Sequence, residues 1–261
     1  MNRLVSILPM LAFLPVAGLG PAARAPEPVR RLHFGFVIVD AGHDDPHDAA
    51  TTTNYIDEVA PFCDLADIAV FSPGEVIGPR IDAMNARGVE PIIHIQAVLF
   101  DSTPDVGSLS GTRLFLRPDA EARWNTFVAA NALAQRQGDL AAVYLADEPA
   151  WNGLADDQLA SAAEWVQRDL PSVPSMLIEA PPTIGDLFVP TSVDWIGFDH
   201  YAVLDPSTDP AWQADLALLR TRKTRPGQRI VIVMESQWLP IYGDAGVTPE
   251  MMGGVAANYF V

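Results

Sequence analysis

The sequence has 261 residues, of which 49% are hydrophobic, and a formal net charge of −17. This length is sufficient for one large α/β domain with a buried core. The negative charge argues against nucleic acids and anionic membranes as partners, because both bind basic surfaces. The single cysteine, Cys63, excludes an intrachain disulfide and a cysteine-based zinc cluster.

The N-terminal residues have the pattern of a secretory signal peptide. Arg3 gives a short positive start, residues 4–20 are almost wholly apolar, and Ala23-Arg24-Ala25 resembles a cleavage site. The alternative, an uncleaved membrane anchor, is disfavoured because the apolar run is shorter than the ~20 residues of a membrane span. We therefore expect residues 1–25 to be removed and residues 26–261 to form one catalytic domain. The mature protein is expected to be secreted or periplasmic, without membrane attachment.

Short apolar, β-branched segments alternate with longer segments of helical periodicity. Near-continuous apolar runs of this length are typical of strands buried on both faces, as in a parallel sheet. Helices are predicted at 118–137, 155–169, 210–222 and 250–261. Seven strands are predicted, at residues 34–40, 68–71, 91–96, 141–147, 175–179, 193–199 and 229–235.

This alternation predicts a parallel sheet with right-handed crossover connections. No Gly-rich phosphate loop follows the first strand, which disfavours a nucleotide-binding open sheet. We expect an α/β fold of the (β/α)8 TIM-barrel type, which usually takes roughly 250 residues. A closed barrel has eight strands, so we expect that this chain lacks the last βα unit. The alternative is an eighth strand that the pattern does not reveal.

Polar residues at the ends of the predicted strands indicate where the chemistry lies. Reactive groups of a (β/α) barrel lie at the carboxyl ends of its strands, and six of the seven predicted strands end in polar or ionisable residues. Capping of the following helices accounts for only part of this pattern. The residues at or next to these ends are Asp40, Gln96, Asp147, Glu148, Glu179, Asp199, His200, Tyr201 and Glu235, and His94 lies within the third strand.

Two of these segments carry a family resemblance. The segments YLADEP at 144–149 and VMESQW at 233–238 each place a glutamate at a strand end, the fourth and the seventh. With WIGFDHY at 195–201, they resemble the clan of retaining glycosidases on (β/α)8 barrels. The resemblance extends from about residue 33 to the end, mostly as strand order. It implies a carbohydrate substrate, no cofactor, Glu148 as general acid/base and Glu235 as nucleophile, with the two carboxyl groups about 5–5.5 Å apart.

The other polar strand ends and nearby aromatic residues are interpreted as substrate-binding. Aromatic rings at a barrel mouth can stack on a sugar face, and hydrogen bonds from His200 and Tyr201 would keep Glu235 ionised. Loop packing is the alternative role for the aromatic residues, and a core position is the alternative for His94. The loops at 97–117 and 181–191 are expected to shape specificity. The substrate-binding candidates are Asp40, His94, Gln96, Asp147, Trp151, Glu179, Asp199, His200, Tyr201 and Trp238.

A second mechanism for the same chemistry remains open. The clan usually has Asn where this chain has Asp147, and an adjacent Asp-Glu pair is similar to the substrate-assisted N-acetylhexosaminidases. On that interpretation Asp147 orients the 2-acetamido group, Glu148 is the acid and Glu235 only binds. The remaining alternative is that Asp147-Glu148-Pro149 simply opens the next helix.

Two further functions also remain open. The segment DAGHDDPHD at 40–48, with His94, Asp199 and His200, could hold a metal ion for hydrolysis, although no spacing such as H-E-x-x-H is present. A barrel that binds carbohydrate without cleaving it is the other possibility. The glutamates at both strand ends argue against the latter.

Overall fold

The computed structural model describes residues 32–44, 49, 51–234 and 238–260. The predicted signal peptide and Glu235 lie outside these residues. Among the described helices, none is both long and apolar enough to span a membrane.

Nine strands and eight α-helices lie in the described part of the chain, with short 3-10 turns between them. The strands are β1 (Gly35–Asp40), β2 (Leu65–Ala69), β3 (Glu90–His94), β4 (Phe100–Pro104), β5 (Thr112–Leu116), β6 (Ala142–Asp147), β7 (Ser175–Glu179), β8 (Trp195–Phe198) and β9 (Arg229–Ile232). The helices are α1 (Ile56–Val59), α2 (Gly78–Asn85), α3 (Gln96–Leu99), α4 (Ala120–Ala130), α5 (Asp156–Asp169), α6 (Pro210–Thr221), α7 (Pro240–Asp244) and α8 (Met252–Ala257).

Seven strands form one sheet in the order β1-β2-β3-β6-β7-β8-β9, and every neighbouring pair is parallel. The order in the sheet follows the order in the chain, with β4 and β5 set apart as a separate antiparallel pair. Helices alternate with the strands, and the sheet curls as a partial (β/α)8 barrel. The predicted fold class is therefore confirmed. That a βα unit is missing stays a prediction.

The two faces of the sheet are apolar in different ways. On the helix side, Ile93, Val143 and Leu177 belong to a large core that also contains Trp124 of α4 and Val166 of α5. A smaller apolar cluster fills the inner side of the sheet. Because side chains alternate along a strand, this pattern fixes which residues of each strand end project into the barrel. The inner cluster consists of Leu65, Ile92, Ala141, Ala142, Tyr144, Met176, Ile178 and Trp195.

The predicted strands match the observed ones unevenly. Residues 175–179 are a strand as predicted, whereas β2 starts at Leu65, three residues before the predicted 68–71 segment. The predicted seventh strand, 229–235, ends at Ile232. The region expected to be a loop, 97–117, contains most of α3 and the β4–β5 hairpin.

A bulge distorts β1 where it runs beside β2. Four steps along β1, from Phe36 to Asp40, match two steps along β2, and Ile38 has the left-handed φ of 62°. The main-chain N–H of Val39 donates to Asp67 Oδ1 at 3.0 Å. Asp67 is almost fully buried, and burial raises its pKa to about 6. This carboxyl group therefore fastens the bulge from inside the protein.

Candidate active site

The chain turns at Glu148, directly after β6. Glu148 has φ 48°, in the left-handed region that a residue with a side chain rarely adopts. Its N–H donates to Ile178 O at 2.8 Å, and its own C=O accepts from the main-chain N–H of Asn152 at 2.9 Å. The strand thus ends abruptly with the Glu148 side chain half-buried at the carboxyl edge of the sheet. Non-glycine residues in this conformation cost about 1–3 kcal/mol and cluster at functional sites.

Asp147, the residue before it, is held by two polar contacts. The Tyr144 hydroxyl donates to Asp147 Oδ1, and the Asp147 N–H donates to Gln96 Oε1 at 2.6 Å. Tyr144 belongs to the inner apolar cluster, and burial raises the pKa of its hydroxyl well above the ordinary value. The hydroxyl therefore stays protonated and fixes the orientation of the Asp147 carboxylate.

His94 lies beside Tyr144 on the neighbouring strand. The two residues are register partners in β3 and β6, and their rings stack with centroids 4.2 Å apart. Burial lowers the pKa of His94, so the imidazole is neutral at neutral pH. Its Nε2 is buried and has no hydrogen-bond partner among the described residues. A buried polar atom without a partner usually faces a water molecule or a ligand group.

Asp199 approaches Glu148 from β8. It follows that strand directly, is 5% exposed, and its carboxyl group hydrogen-bonds both Glu148 and Tyr201. Burial, reinforced by the charges of Glu148 and Asp147, raises the pKa of Asp199 to about 8. Burial and the charge of Asp147 also raise the pKa of Glu148. The hydrogen-bonded pair therefore retains a proton at neutral pH, because two close carboxylates in a buried site cannot both ionise easily.

The two carboxyl oxygens of Asp199 differ in their hydrogen bonding. Asp199 Oδ1 is buried and has no hydrogen-bond partner in the described part of the chain. The edge of the sheet near Tyr144 thus presents two buried unpartnered atoms, a histidine nitrogen and a carboxyl oxygen. Both can bind hydroxyl groups.

Glu179, at the end of β7, has the opposite environment. It is fully buried, and its carboxylate accepts from the N–H groups of Ala150, Trp151 and Ala180 and from the Thr183 hydroxyl, at 2.6 to 3.1 Å. Burial raises the pKa of Glu179, and these four donors oppose the rise. Substrate binding by Glu179 stays a prediction. What the structure describes is a carboxylate that binds the loop after β6.

Two other predicted substrate-binding residues lie within ion-pair distance of a neighbouring side chain. Asp40 Oδ2 accepts from Arg80 Nε at 2.6 Å, and Arg80 also reaches Glu75. His200 Nδ1 lies 2.9 Å from Asp215 Oδ2 of α6, at an ion-pair distance but without the alignment of a hydrogen bond. Burial raises the pKa of Asp215, and the neighbouring His200 opposes this. Predicted contacts of Asp40 and His200 with a substrate remain untested.

The three predicted sugar-stacking residues differ in exposure. Tyr201 is 47% and Trp238 37% exposed, and Trp151 is partly buried. Trp238 donates its Nε1–H to Val247 O at 2.8 Å and contacts Gly243 of α7. Trp238 therefore already has a packing role in the loop after β9, whereas Tyr201 hydrogen-bonds Asp199, the partner of Glu148.

Several predicted residues meet at one place. The contacts described above join six of them: Gln96, His94, Asp147, Glu148, Asp199 and Tyr201. Tyr144 belongs to the same group but was not among the candidates. Its signal in the sequence was the alternation in 141–147 that places Ala142 and Tyr144 on one face. Arg80 was also missed, because nothing in a helix sequence indicates which strand end an arginine reaches. The distance from Glu148 to Glu235 stays untested, since Glu235 lies outside the described residues.

The proposed metal ligands do not form a cluster in the described part of the chain. There, no group of three or more His, Cys, Asp or Glu side chains has an arrangement that could hold a metal ion. Residues 45–48 of the acidic loop lie outside it.

Comparisons with known proteins give backbone similarity at low sequence identity. No family model matches the sequence, and no curated protein sequence matches it. A crystal structure of Gas2 with a bound compound is 11% identical, with a TM-score of 0.48, over 77% of this chain and 49% of that one. The apo structure of a Glu→Gln mutant of Saccharomyces cerevisiae Gas2p is 12% identical, with a TM-score of 0.44, over 69% and 38%. This chain spans about half, or less, of the length of these solved structures.

Proposed function

We propose that the protein is an exported glycoside hydrolase that cleaves O-glycosidic bonds, with Glu148 as general acid/base and Glu235 as nucleophile. The observation that carries this proposal is the hydrogen-bonded pair of Glu148 and the buried Asp199 at the carboxyl edge of a parallel sheet. Active sites of (β/α) barrels lie at this edge.

A general acid must hold its proton at the working pH and deliver it to the leaving oxygen. Burial and neighbouring negative charge raise the pKa of Glu148, as this role requires. Asp199 can accept the hydrogen bond of a protonated Glu148, or share its own proton with an ionised one. The pair thus supports both halves of an acid/base cycle, protonation of the leaving group and activation of water.

The surroundings of Glu148 suit a neutral, hydroxyl-rich substrate. His94 Nε2 and Asp199 Oδ1 are buried atoms without partners among the described residues, and each can bind a sugar hydroxyl. Tyr201 offers an exposed aromatic ring next to Asp199. The charge of −17 would repel an anionic polysaccharide, so an uncharged or cationic sugar is the better match.

Glu235 is assigned as nucleophile from the sequence resemblance, and the described segment before it lies beside the end of β8. The Val233 N–H donates to Phe198 O at 3.0 Å, so the segment leaving β9 still runs beside the end of β8. Val231 and Val233 pack against the inner apolar cluster. Glu235 itself comes two residues after Val233 and lies outside the described residues.

A test uses 4-nitrophenyl glycosides of glucose, galactose and N-acetylglucosamine, with and without azide. With Glu235→Ala, azide should replace the missing nucleophile, releasing 4-nitrophenolate and forming a glycosyl azide of inverted configuration. With Glu148→Ala, azide should instead attack the glycosyl-enzyme and give the retained configuration. Binding of sugars by the wild type with no turnover of any glycoside would contradict the proposal and favour a carbohydrate-binding barrel.

A substrate-assisted mechanism is the second candidate, and one observation favours it. Asp147 lies beside Glu148 with its carboxylate fixed by the Tyr144 hydroxyl, which suits a residue that orients a 2-acetamido group. In that case only the N-acetylglucosamine substrate is cleaved. Asp147→Asn then reduces the rate as strongly as Glu148→Gln does, and Glu235→Ala retains activity without azide.

Export is part of the proposal and has its own test. Expression of the full chain in a bacterial host should give a periplasmic or secreted product that begins near residue 26, as read by N-terminal sequencing. A cytoplasmic product that keeps residues 1–25 would contradict it.

A further inference from the structure

Glu179 is a charged residue that the proposed mechanism leaves without a role. It lies two residues after Leu177 on β7 and therefore on the same face, and Leu177 belongs to the core on the helix side of the sheet. Its carboxylate is fully buried and binds four donors, three of them main-chain N–H groups. A buried carboxylate is costly unless its hydrogen bonds are satisfied. Here the donors satisfy it, and in return it fixes the segments that supply them.

Two of these donors belong to the loop that follows Glu148. Ala150 N–H donates to Glu179 Oε2 at 2.8 Å, and Trp151 N–H donates to Glu179 Oε1 at 3.1 Å. On the other side, the N–H of Glu148 itself donates to Ile178 O, the residue before Glu179. The turn from Glu148 to Trp151 is therefore attached to the end of β7 at both of its ends.

This attachment matters because the turn has an unfavourable conformation. Glu148 has φ 48°, and the following Pro149 disfavours the right-handed helical alternative for it. Strained backbone persists only where surrounding contacts determine it. The Glu179 carboxylate supplies such contacts within three residues of the strained position.

We propose that Glu179 is a positioning residue for Glu148, whose buried carboxylate holds the turn after β6 so that the Glu148 carboxyl group points at the reacting oxygen. This inference rests on the proposed function only for its effect on turnover. The effect on the geometry of Glu148 can be measured without any substrate.

The Glu179 charge also acts on Glu148 across the turn. Besides burial, the groups that affect the pKa of Glu148 are Asp147 on β6, Asp199 beyond β8 and Glu179 on β7. Asp147 and Glu179 raise it through their charges, and the hydrogen bond with Asp199 lowers it. Removal of the Glu179 charge is therefore expected to lower the pKa of Glu148, even if the turn keeps its shape.

The first variant is Glu179→Gln. With its carbonyl oxygen in the place of Oε1, glutamine keeps the acceptor for Trp151, Ala180 and Thr183. Its NH2 group then faces the Ala150 N–H, where the carboxylate had an acceptor. The variant thus removes the charge and one contact with the loop. Thr183→Val is the milder second variant, which removes one donor at 2.6 Å and keeps the carboxylate.

The matched control is Asp67→Asn. Asp67 is also a buried carboxyl group that accepts a main-chain N–H, but it holds the bulge of β1 and does not act on the pKa of Glu148. If loss of any buried carboxyl group disturbed Glu148, Asp67→Asn would do so as well.

The experiment follows the side-chain carboxyl carbon of Glu148 by NMR over pH 3 to 9 in the full chain, with amide hydrogen exchange at Ala150 and Trp151. We expect a lower pKa of Glu148 in Glu179→Gln, faster exchange at both amides in Glu179→Gln and Thr183→Val, and neither change in Asp67→Asn. Unchanged exchange at both amides in both test variants, with or without a lower pKa of Glu148, or the same changes in the control, would overturn the proposal.

Turnover gives an independent reading. If the wild type cleaves a 4-nitrophenyl glycoside, Glu179→Gln should lower kcat by roughly tenfold to a hundredfold with little change in KM, because a misplaced acid acts mainly on the chemical step. The limb of the pH–rate profile that reports the acid should move to lower pH. If the wild type cleaves none, the proposed function fails while the NMR result still decides the role of Glu179.

Discussion

Glu179 is the last residue of β7, and Asp199 directly follows the neighbouring strand β8. Both carboxyl groups are buried, yet they differ in how many hydrogen-bond donors surround them. Glu179 binds four donors and faces the helix side of the sheet. Asp199 keeps one unpartnered oxygen and shares a hydrogen bond with a second carboxyl group. Burial alone therefore does not identify a functional carboxylate. What distinguishes the two residues is whether the protein itself has used all of their hydrogen-bonding capacity.

The difference follows from the alternation of side chains along the strands. Leu177 and Glu179 share the helix face of β7, where loops and turns supply main-chain donors. Trp195 faces the inner side of β8, and Asp199 lies two alternations beyond it. On the inner side, near the strand ends, polar groups have mainly one another as hydrogen-bond partners. These groups belong to Tyr144, Asp147, Glu148 and Asp199.

The largest expected effect is on Glu148. In Glu148→Gln the side chain cannot release a proton to a leaving oxygen. With an unactivated disaccharide of the sugar that the enzyme cleaves, kcat should therefore fall by about 10²–10⁴-fold. Steady-state kinetics on that disaccharide measures it. Activated 4-nitrophenyl glycosides, which need less protonation, should lose less.

The control for this variant is Glu164→Gln, an exposed position on α5. It should keep the wild-type kcat. Equal activity of Glu148→Gln and Glu164→Gln on the disaccharide would remove Glu148 from the catalytic machinery and leave its left-handed conformation without a functional reason.

The sequence pattern predicted the sheet better than the site. The middle of a buried strand such as Ser175–Glu179 is apolar, from Met176 to Ile178, with polar residues only at its two ends, so its pattern is clear. The β4–β5 hairpin was missed because Asp101, Ser102 and Thr103 resemble a polar loop. Likewise, β2 contains Asp67, whose charge hides the start of the strand.

Within the site, the sequence predicted the strand-end residues and did not predict their partners. It named Glu148, Asp147 and Asp199, because each follows an apolar run. That Glu148 and Asp199 would share a hydrogen bond depends on side-chain direction and on the bulge between Tyr144 and Ala146 in β6. A bulge of this kind has no pattern of its own in a buried strand.

Asp199 should make folding stability depend on pH. Its pKa is about 8 in the folded protein and near 4 in an unfolded chain. Between these values the folded state binds the extra proton, so stability falls as the pH rises from about 4 to about 8, with a slope of at most about 1.4 kcal/mol per pH unit. Asp67, with a pKa of about 6, adds the same trend only up to about pH 6.

The variant Asp199→Asn isolates this contribution. Urea unfolding at pH 6, 7 and 8 should show the free energy of unfolding declining with pH in the wild type and declining less in the variant. A wild type and variant with parallel pH dependence would mean that Asp199 is ionised in the folded protein. The contrast between Asp199 and Glu179, whose carboxylate oxygens both bind donors, would then disappear.

Gly197, two residues before Asp199, should tolerate no side chain. A Cβ built there would lie 3.0 Å from Val231 Cβ and O and 3.2 Å from Ile178 Cγ1. Gly197→Ala is therefore expected to destabilise the protein by about 1–3 kcal/mol through overpacking, as measured by urea unfolding. Gly185→Ala is the matched control, because its nearest atom is 3.9 Å away. Equal stability of the two variants would show that β7, β8 and β9 adjust freely at this point.

The last prediction concerns the hydroxyl of Tyr144. Tyr144→Phe keeps the ring that stacks on His94 and removes the donor to Asp147. Loss of one hydrogen bond to a charged group is worth about 1.5–3 kcal/mol, so catalysis should fall roughly tenfold to a hundredfold if Asp147 orients a reacting group.

The two proposed mechanisms predict different kinetic effects of Tyr144→Phe. In a two-glutamate enzyme Asp147 binds a substrate hydroxyl, and the loss should appear in KM and kcat together for every cleaved glycoside. In a substrate-assisted enzyme Asp147 holds the acetamido nucleophile, so the loss should appear in kcat for the N-acetylglucosamine substrate. A Tyr144→Phe variant with wild-type kinetics would show that Asp147 needs no fixed orientation, and only Glu148 and Asp199 would then remain as the carboxyl groups of this edge with a catalytic assignment.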